Sequence, residues 1–335
     1  MDSFQPHEKL ATGWKVEHPS EPIEGLGDIR LSRKIISPVD RTGVHLRLYQ
    51  YQTCPFCSKV RAFLDYYGFS YEVVEVHPVT RRQIKFSKQK KVPVVVAKEA
   101  DHEMLLVDSV FVTSVLRSFV VNKGEQSLRE AYAEYPQHTQ LAPDGSVKIE
   151  PQNKYFINFH EKLTDKAAIN AKKEEREWRQ WVDQRFIHVI SPNVYRTMGE
   201  SLDTFHWFAQ VGDWHVNFPL WERWLAVYVG AVAMYFISRR LKKRHNLHDD
   251  VRVSMDELCN EWAHAMGDRS FMGGLTPNMA DLALYGAMQS FRGTSAFGDL
   301  RSNSPQMSDW FDRMDDAVRN HRGSAELETF RRKQT

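Results

Sequence analysis

At 335 residues, with 42% hydrophobic and 12% aromatic side chains, the chain is long enough for two domains with substantial buried cores. A formal net charge of +2, from 45 basic against 43 acidic residues, gives no global reason for nucleic acid as a partner. Three cysteines are too few for a secreted disulfide scaffold and point to a reducing compartment. The start, Met1-Asp2-Ser3-Phe4-Gln5-Pro6, lacks an apolar core of signal-peptide length, so the expected location is cytoplasmic.

Residues 1–43 are rich in Pro, Gly, Glu and charge without sustained periodicity and read as an N-terminal arm, with a short edge strand from Ile29 to Ile36. Val44 to Tyr51 alternates apolar and polar residues as a strand does and delivers the chain to Cys54-Pro55-Phe56-Cys57. From Ser58 the period becomes helical, with Val60, Phe63, Leu64 and Tyr67 at i, i+3, i+4 and i+7. Pro55 suits the first helical position because it has no N–H to leave unpaired there. Cys54 then sits at the helix N-terminus, where free N–H groups and the helix dipole favour a thiolate, the nucleophilic form. Half of a zinc site would need a second Cys/His pair, and the third cysteine, Cys259, is distant and alone. A structural disulfide across two residues closes almost no loop and would stabilise little. A nucleophilic or redox thiol motif is the stronger reading, and no metal ligand set is expected.

Further strands are expected at Tyr71–Val76, Lys91–Val96 and Met104–Val107, with a short basic helix over Thr80–Lys88 and a helix after Asp108-Ser109 carrying Val110, Val112, Val115, Leu116 and Phe119. The order βαβαββα, with the cysteines after its first strand, is that of a thioredoxin-like domain of glutaredoxin type, placed at residues 44–122. In that fold Pro93 is expected to follow a cis bond that turns the Val92 backbone toward the cysteines, where a peptide-like ligand can pair as an added strand. Asp108 and Ser109, at a helix N-terminus, offer donors to a carboxylate, or cap their helix and nothing more. Together the three places form an expected glutathione cradle.

Residues 123–153 are polar and proline-bearing (Tyr135-Pro136, Ala142-Pro143-Asp144-Gly145) and read as a linker. Residues 154–325 are helical in character. Trp178, Trp181, Val182, Phe186 and Val189 make one apolar helix face, expected to end at Ser191-Pro192-Asn193. Fifteen uncharged residues, Trp224 to Ser238, lie between Arg223 and Arg239, fewer than a spanning helix needs. A buried bundle helix is the expectation there, with peripheral contact of the basic run Arg239–Arg244 to anionic lipid as the alternative. Pro277-Asn278-Met279-Ala280-Asp281 reads as a capping box, with Asn278 as cap and Asp281 reaching back.

A thioredoxin-like domain followed by a helical domain with such a box resembles the glutathione transferase superfamily. Within it, Leu48 to Lys59, Ile84-Lys85-Phe86-Ser87, Lys91-Val92-Pro93 and Asp108-Ser109 are similar to the type-2, membrane-associated prostaglandin E synthases. So are Trp178-Arg179-Gln180-Trp181, Ile190 to Thr197, Ala233-Met234-Tyr235 and Phe271-Met272-Gly273-Gly274, spanning roughly residues 44–310. The resemblance implies a homodimeric isomerase converting prostaglandin H2, a lipid endoperoxide, to prostaglandin E2. It also implies binding of glutathione, and of haem together with glutathione whose sulfur ligates the iron. Cys54 takes the position of the essential cysteine and Tyr51 that of a tyrosine able to hydrogen-bond the sulfur, with Cys57 as the second thiol. Val92, Pro93, Asp108 and Ser109 match the glutathione site, and Pro55 and Phe56 its lining. Family members carry an apolar N-terminal anchor, and nothing upstream of Val44 could serve as one, so a soluble, processed or peripherally bound protein is expected. Two other functions stay open beside the isomerase: a glutathione-dependent thiol oxidoreductase or transferase, and a non-catalytic haem or glutathione binder.

Overall fold

A computed structural model describes residues 13–19, 23, 29–88, 90–141, 147–158 and 162–330. Strand β1 is Lys15–Glu17, β2 Arg33–Ile36 and β3 Val44–Gln50. In β3, Val44, Leu46 and Leu48 are buried while His45 faces solvent, as a period of two requires. Helix α1, Pro55–Tyr67, crosses to β4, Tyr71–Glu75, which pairs parallel to β3. The chain then forms the antiparallel hairpin β5, Val94–Glu99, and β6, His102–Val107, turned through Ala100-Asp101. Helix α2, Ser109–Val121, follows. The sheet order is β1-β2-β4-β3-β5-β6, a glutaredoxin-type mixed sheet extended by two N-terminal strands. The expected edge strand is thus interior: its Arg33–Ile36 part pairs with β4 on one side and β1 on the other.

Two local expectations change. The basic helix over Thr80–Lys88 shrinks to one 3-10 turn, Arg82–Ile84; Arg81, Arg82, Lys85 and Lys88 crowd four like charges into two turns with no acid among them. The third core strand starts at Val94 rather than Lys91, since Pro93 has no N–H to give a ladder.

The stretch read as a linker holds structure of its own. Helix α3, Leu128–Ala133, is closed by a capping box between Ser127 and Glu130. Strands β7, Gln137–Leu141, and β8, Val147–Pro151, form a separate hairpin. The turn expected at Ala142-Pro143-Asp144-Gly145 lies outside the described residues.

Helix α4, Lys166–Trp181, capped by Asp165, runs through a π-turn at Val182–Phe186 into α5, Ile187–Val194. The apolar face is buried at Trp181, Val182, Phe186 and Val189, as expected. The helix does not stop at Ser191-Pro192-Asn193. It passes through Pro192, and the buried Asn193 amide donates to the carbonyls of Val189 (2.9 Å) and Val251 (3.0 Å), tying α5 to the helix that starts at Val251.

Helices α6, Met198–Val211, and α7, Trp214–Asn217, lead to α8, Leu220–Arg244. Burial was expected for α8, and the structure contradicts it. Ala226, Val227, Ala231 and Ser238 are buried, but Trp221, Trp224 and Phe236 are 60–64% exposed. Helices α5, α6 and α7 pack against α8, with the Phe205 ring against Gly230, and among the described residues its Trp221, Trp224 and Phe236 side is left exposed. By length and composition alone α8 is long and apolar enough to cross a membrane.

The bundle closes with α9, Val251–Met266, α10, Met279–Gln289, α11, Ser295–Asn303, α12, Pro305–Arg319, and α13, Ala325–Glu328. The capping box at the head of α10 forms as expected. The buried Asp281 carboxylate accepts from the N–H groups of Met272 (2.8 Å), Gly273 (2.9 Å) and Asn278 (3.0 Å) and from the Trp310 indole (3.1 Å). At Gly286, α10 meets α1 backbone to backbone: a Cβ there would lie 2.5 Å from the Lys59 Cα. The two helices carry the two halves of the molecule against each other. Asp281→Ala, which strands three main-chain donors, should cost about 3 kcal/mol or more in urea denaturation; a loss under about 1 kcal/mol would mean the box only decorates the turn.

Candidate active site at the Cys54 turn

Strand register gathers the expected site residues at one end of the sheet. Tyr49, near the end of β3, lies opposite Val94 at the start of β5, and Val94 lies opposite Val107 at the end of β6. The Cys54 turn follows the end of β3, Val92-Pro93 leads into β5 and Asp108-Ser109 follows β6, so all three meet at this edge. The Val92–Pro93 peptide is cis. Pro55 and the exposed Phe56 flank the turn.

Cys54 is the N-cap of α1 and Pro55 its first residue. The Cys54 N–H donates to the Tyr51 carbonyl (3.1 Å), and its own carbonyl accepts from the Ser58 N–H (2.9 Å). Cys54 is partly exposed while Cys57, one turn inside, is fully buried. A hydrogen bond from the Cys57 thiol lowers the Cys54 pKa, opposed by burial and assisted by the N–H groups of Cys57 and Phe56 and by the Arg61 charge. Burial pushes the Cys57 thiol up, and the neighbouring Cys54 pushes it further. The two thiols are therefore unlike: the Cys54 pKa is pulled down and the Cys57 pKa pushed up.

Tyr51 reaches this pair through its backbone, whose N–H favours the Cys57 sulfur. Its hydroxyl stays protonated because burial raises its pKa against the pull of Arg81. Asp108 caps α2, accepting from the N–H groups of Val110 (2.8 Å) and Phe111 (3.3 Å), and holds a non-glycine φ of +79°. Its second oxygen takes the Lys154 ammonium at 2.6 Å. Burial would raise this carboxyl, but the Lys154 charge and hydrogen bond hold it below its ordinary value. Ser109 is buried beside it.

Two groups were assigned no role from the sequence. Tyr195, at the end of α5 in the Ser-Pro-Asn-Val-Tyr-Arg stretch, is buried; burial raises its pKa, and the Cys54 charge adds to the rise. It brings the helical part of the molecule to the thiol. Lys59, buried on α1, pairs with Asp183, which also accepts the Tyr155 hydroxyl at 3.0 Å. Lys59 sits in the quoted Cys-Pro-Phe-Cys-Ser-Lys run, but its partner lies 124 residues away, so only the fold reveals the pair.

A glutaredoxin-type thiol domain docked on an all-helical bundle is the class this fold and site define. A family model described as Glutaredoxin matches residues 46–101. Prostaglandin E synthase 2 of Mus musculus is 45% identical over 294 residues, covering 87% of this chain and 75% of that protein. The Danio rerio protein of the same name is 40% identical over 280 residues, covering 83% and 72%. Among solved structures, glutathione S-transferase-I bound with lactoylglutathione aligns over 84% of this chain and 99% of its own at 11% identity and a TM-score of 0.46. The chain belongs to the prostaglandin E synthase 2 family.

The inequality of the thiols fixes the sign of a pH test. A depressed Cys54 pKa keeps the thiolate present as pH falls below the ordinary thiol value of about 8.5 and loses it only at the lower midpoint. Iodoacetamide labelling of native protein, mapped by mass spectrometry, should modify Cys54 with a midpoint below about 8.5 and spare Cys57 and Cys259. A Cys54 midpoint at or above that value would contradict the site as described.

Proposed function

We propose that the protein isomerises prostaglandin H2 to prostaglandin E2 with Cys54 as the reacting thiol. The observation that carries this reading is the unequal thiol pair, in which a partly exposed Cys54 stands at the head of α1 with its pKa lowered while Cys57 is sealed one turn inside with its pKa raised. The family supports it, since both relatives bear the name of that activity.

The chemistry needs no outside oxidant or reductant. The Cys54 thiolate removes the proton from C9 of the endoperoxide. The C–H electron pair becomes the C9 carbonyl, the O–O bond breaks, and its electrons remain on the C11 oxygen. That oxygen takes back the proton, so substrate and product are isomers. The protonated hydroxyl of Tyr51 supplies a donor for the negative charge as it forms.

Glutathione fits the edge where the strand ends meet. The backbone of Val92 and Pro93 pairs with its peptide, Asp108 and Ser109 receive its charged end, and Pro55 and Phe56 line it. Lys154 already neutralises one Asp108 oxygen, so a ligand ammonium shares that carboxylate with it. Haem with glutathione belongs to the same reading. In that reading the glutathione sulfur would ligate the iron. A homodimer is part of the proposal. So is peripheral contact with anionic lipid, supported by the exposed face of α8 and its basic end, Arg239 to Arg244.

The reading separates from dithiol reduction by mutation. A dithiol oxidoreductase needs both sulfurs, because the second resolves the mixed disulfide made by the first. Cys54→Ser should abolish prostaglandin H2 turnover, with Cys57→Ser retaining most of it, because the isomerisation needs only the Cys54 sulfur and the serine hydroxyl keeps a donor at position 57. Equal loss in both folded variants, measured as product per enzyme, would move the assignment to a dithiol oxidoreductase.

A further inference from the structure

Behind the cysteine turn, on the side away from solvent, lies a buried polar knot that the proposed chemistry does not use. Arg61, on α1 one turn beyond Cys57, is 8% exposed. Its guanidinium donates to the Gln52 carbonyl (2.6 Å), the Ser58 hydroxyl (2.6 Å) and the Gln50 side-chain oxygen. Gln52 is the second residue of the turn that ends in Cys54, and Ser58 is the residue whose N–H takes the Cys54 carbonyl. One side chain therefore grips both flanks of the reactive residue.

The knot is closed by Glu75 on β4. Its carboxylate accepts the Gln52 N–H (3.1 Å) and the Gln50 amide (2.6 Å) and stands 3.6 Å from Arg33 on β2. Gln52 also receives Arg33 at its side-chain oxygen. Three ionisable groups are thus buried together, an arrangement expensive to desolvate and strongly destabilising when one partner is removed. A hydrocarbon core would hold this turn at lower cost, so the charges call for a role beyond packing.

We infer that Arg61 is a positioning residue for the Cys54 thiol, holding the turn through the Gln52 carbonyl and Ser58 while setting a positive charge behind the sulfur. The inference rests on Cys54 being the reacting group, as proposed above. The charged and titratable groups facing Arg61 are Arg33 and Glu75, Asp65 one turn further along α1, Tyr71 on β4, and the two thiols. Asp65 is bonded by the Tyr71 hydroxyl at 2.7 Å and Glu75 stands against Arg33, so the Arg61 charge is shared between these carboxylates and the two thiols. That charge is among the influences lowering the Cys54 pKa.

The test reads the thiol directly and needs no prostaglandin. Iodoacetamide alkylation of Cys54 is followed against pH in wild type, Arg61→Gln, Arg61→Lys and Glu75→Gln, each checked by circular dichroism. Arg61→Gln should raise the midpoint by about one unit, slowing alkylation about tenfold at pH below it. Arg61→Lys, which keeps the charge and loses the fork, should recover part of that shift. Glu75→Gln, which removes a buried negative charge, should move the midpoint the opposite way. If Arg61→Gln does not fold, the pair Arg61→Lys and Glu75→Gln still decides it, because a merely structural role predicts no shift or shifts of the same sign. Unchanged midpoints in the folded variants, or a common direction for both charges, would overturn the inference. Absence of prostaglandin turnover in wild type would instead strike the proposed function and leave these midpoints readable.

Discussion

The placement of Cys54 at the head of α1, with Cys57 sealed one turn inside, is the constraint on which the site depends. Helix α1 begins at Pro55 and puts the two sulfurs one turn apart, the outer partly open and the inner sealed. Sealing the inner thiol keeps it protonated, and a protonated neighbour is what lets the outer one carry charge. Remove the burial of Cys57 and the difference between the two thiols shrinks to what the helix start and the Arg61 charge give Cys54. The packing of α1 is therefore part of the chemistry, and that packing is supplied by the sheet on one side and by α10, at Gly286, on the other.

Much of this was legible in the sequence, for identifiable reasons. Alternation in Val44–Tyr51, the Pro at the first helical position and the 3.6-residue stripe after Ser58 are local signals, and local signals placed Cys54 at a helix start. The capping box at Asn278 and Asp281 was legible for the same reason. What escaped was long-range. Arg61 and Lys59 look like two more cations on a helix until the fold buries them against residues from β3, β4 and the π-turn. Tyr195 is one aromatic among twelve tyrosines until α5 carries it to the thiol.

The α8 run shows where pattern reading misled. Small residues amid a long apolar stretch suggest burial on all sides, yet burial is confined to one side, at Glu222, Ala226, Val227, Ala231 and Ser238. The opposite face keeps two tryptophans and a phenylalanine in solvent, and a monomeric soluble domain rarely leaves so much apolar surface uncovered. In the polar stretch after α2 the error ran the other way: α3 and its hairpin are held by a capping box and strand pairing, neither of which needs an apolar stripe.

The central claim is that one thiol performs an isomerisation rather than two performing a reduction. The most direct measurement gives purified protein prostaglandin H2 in one vessel and a small disulfide with glutathione in another, following initial rates in both. Prostaglandin E2 forming well above spontaneous breakdown, with weak disulfide reduction, is the expected result. Rapid disulfide reduction with prostaglandin E2 no higher than in buffer would contradict it.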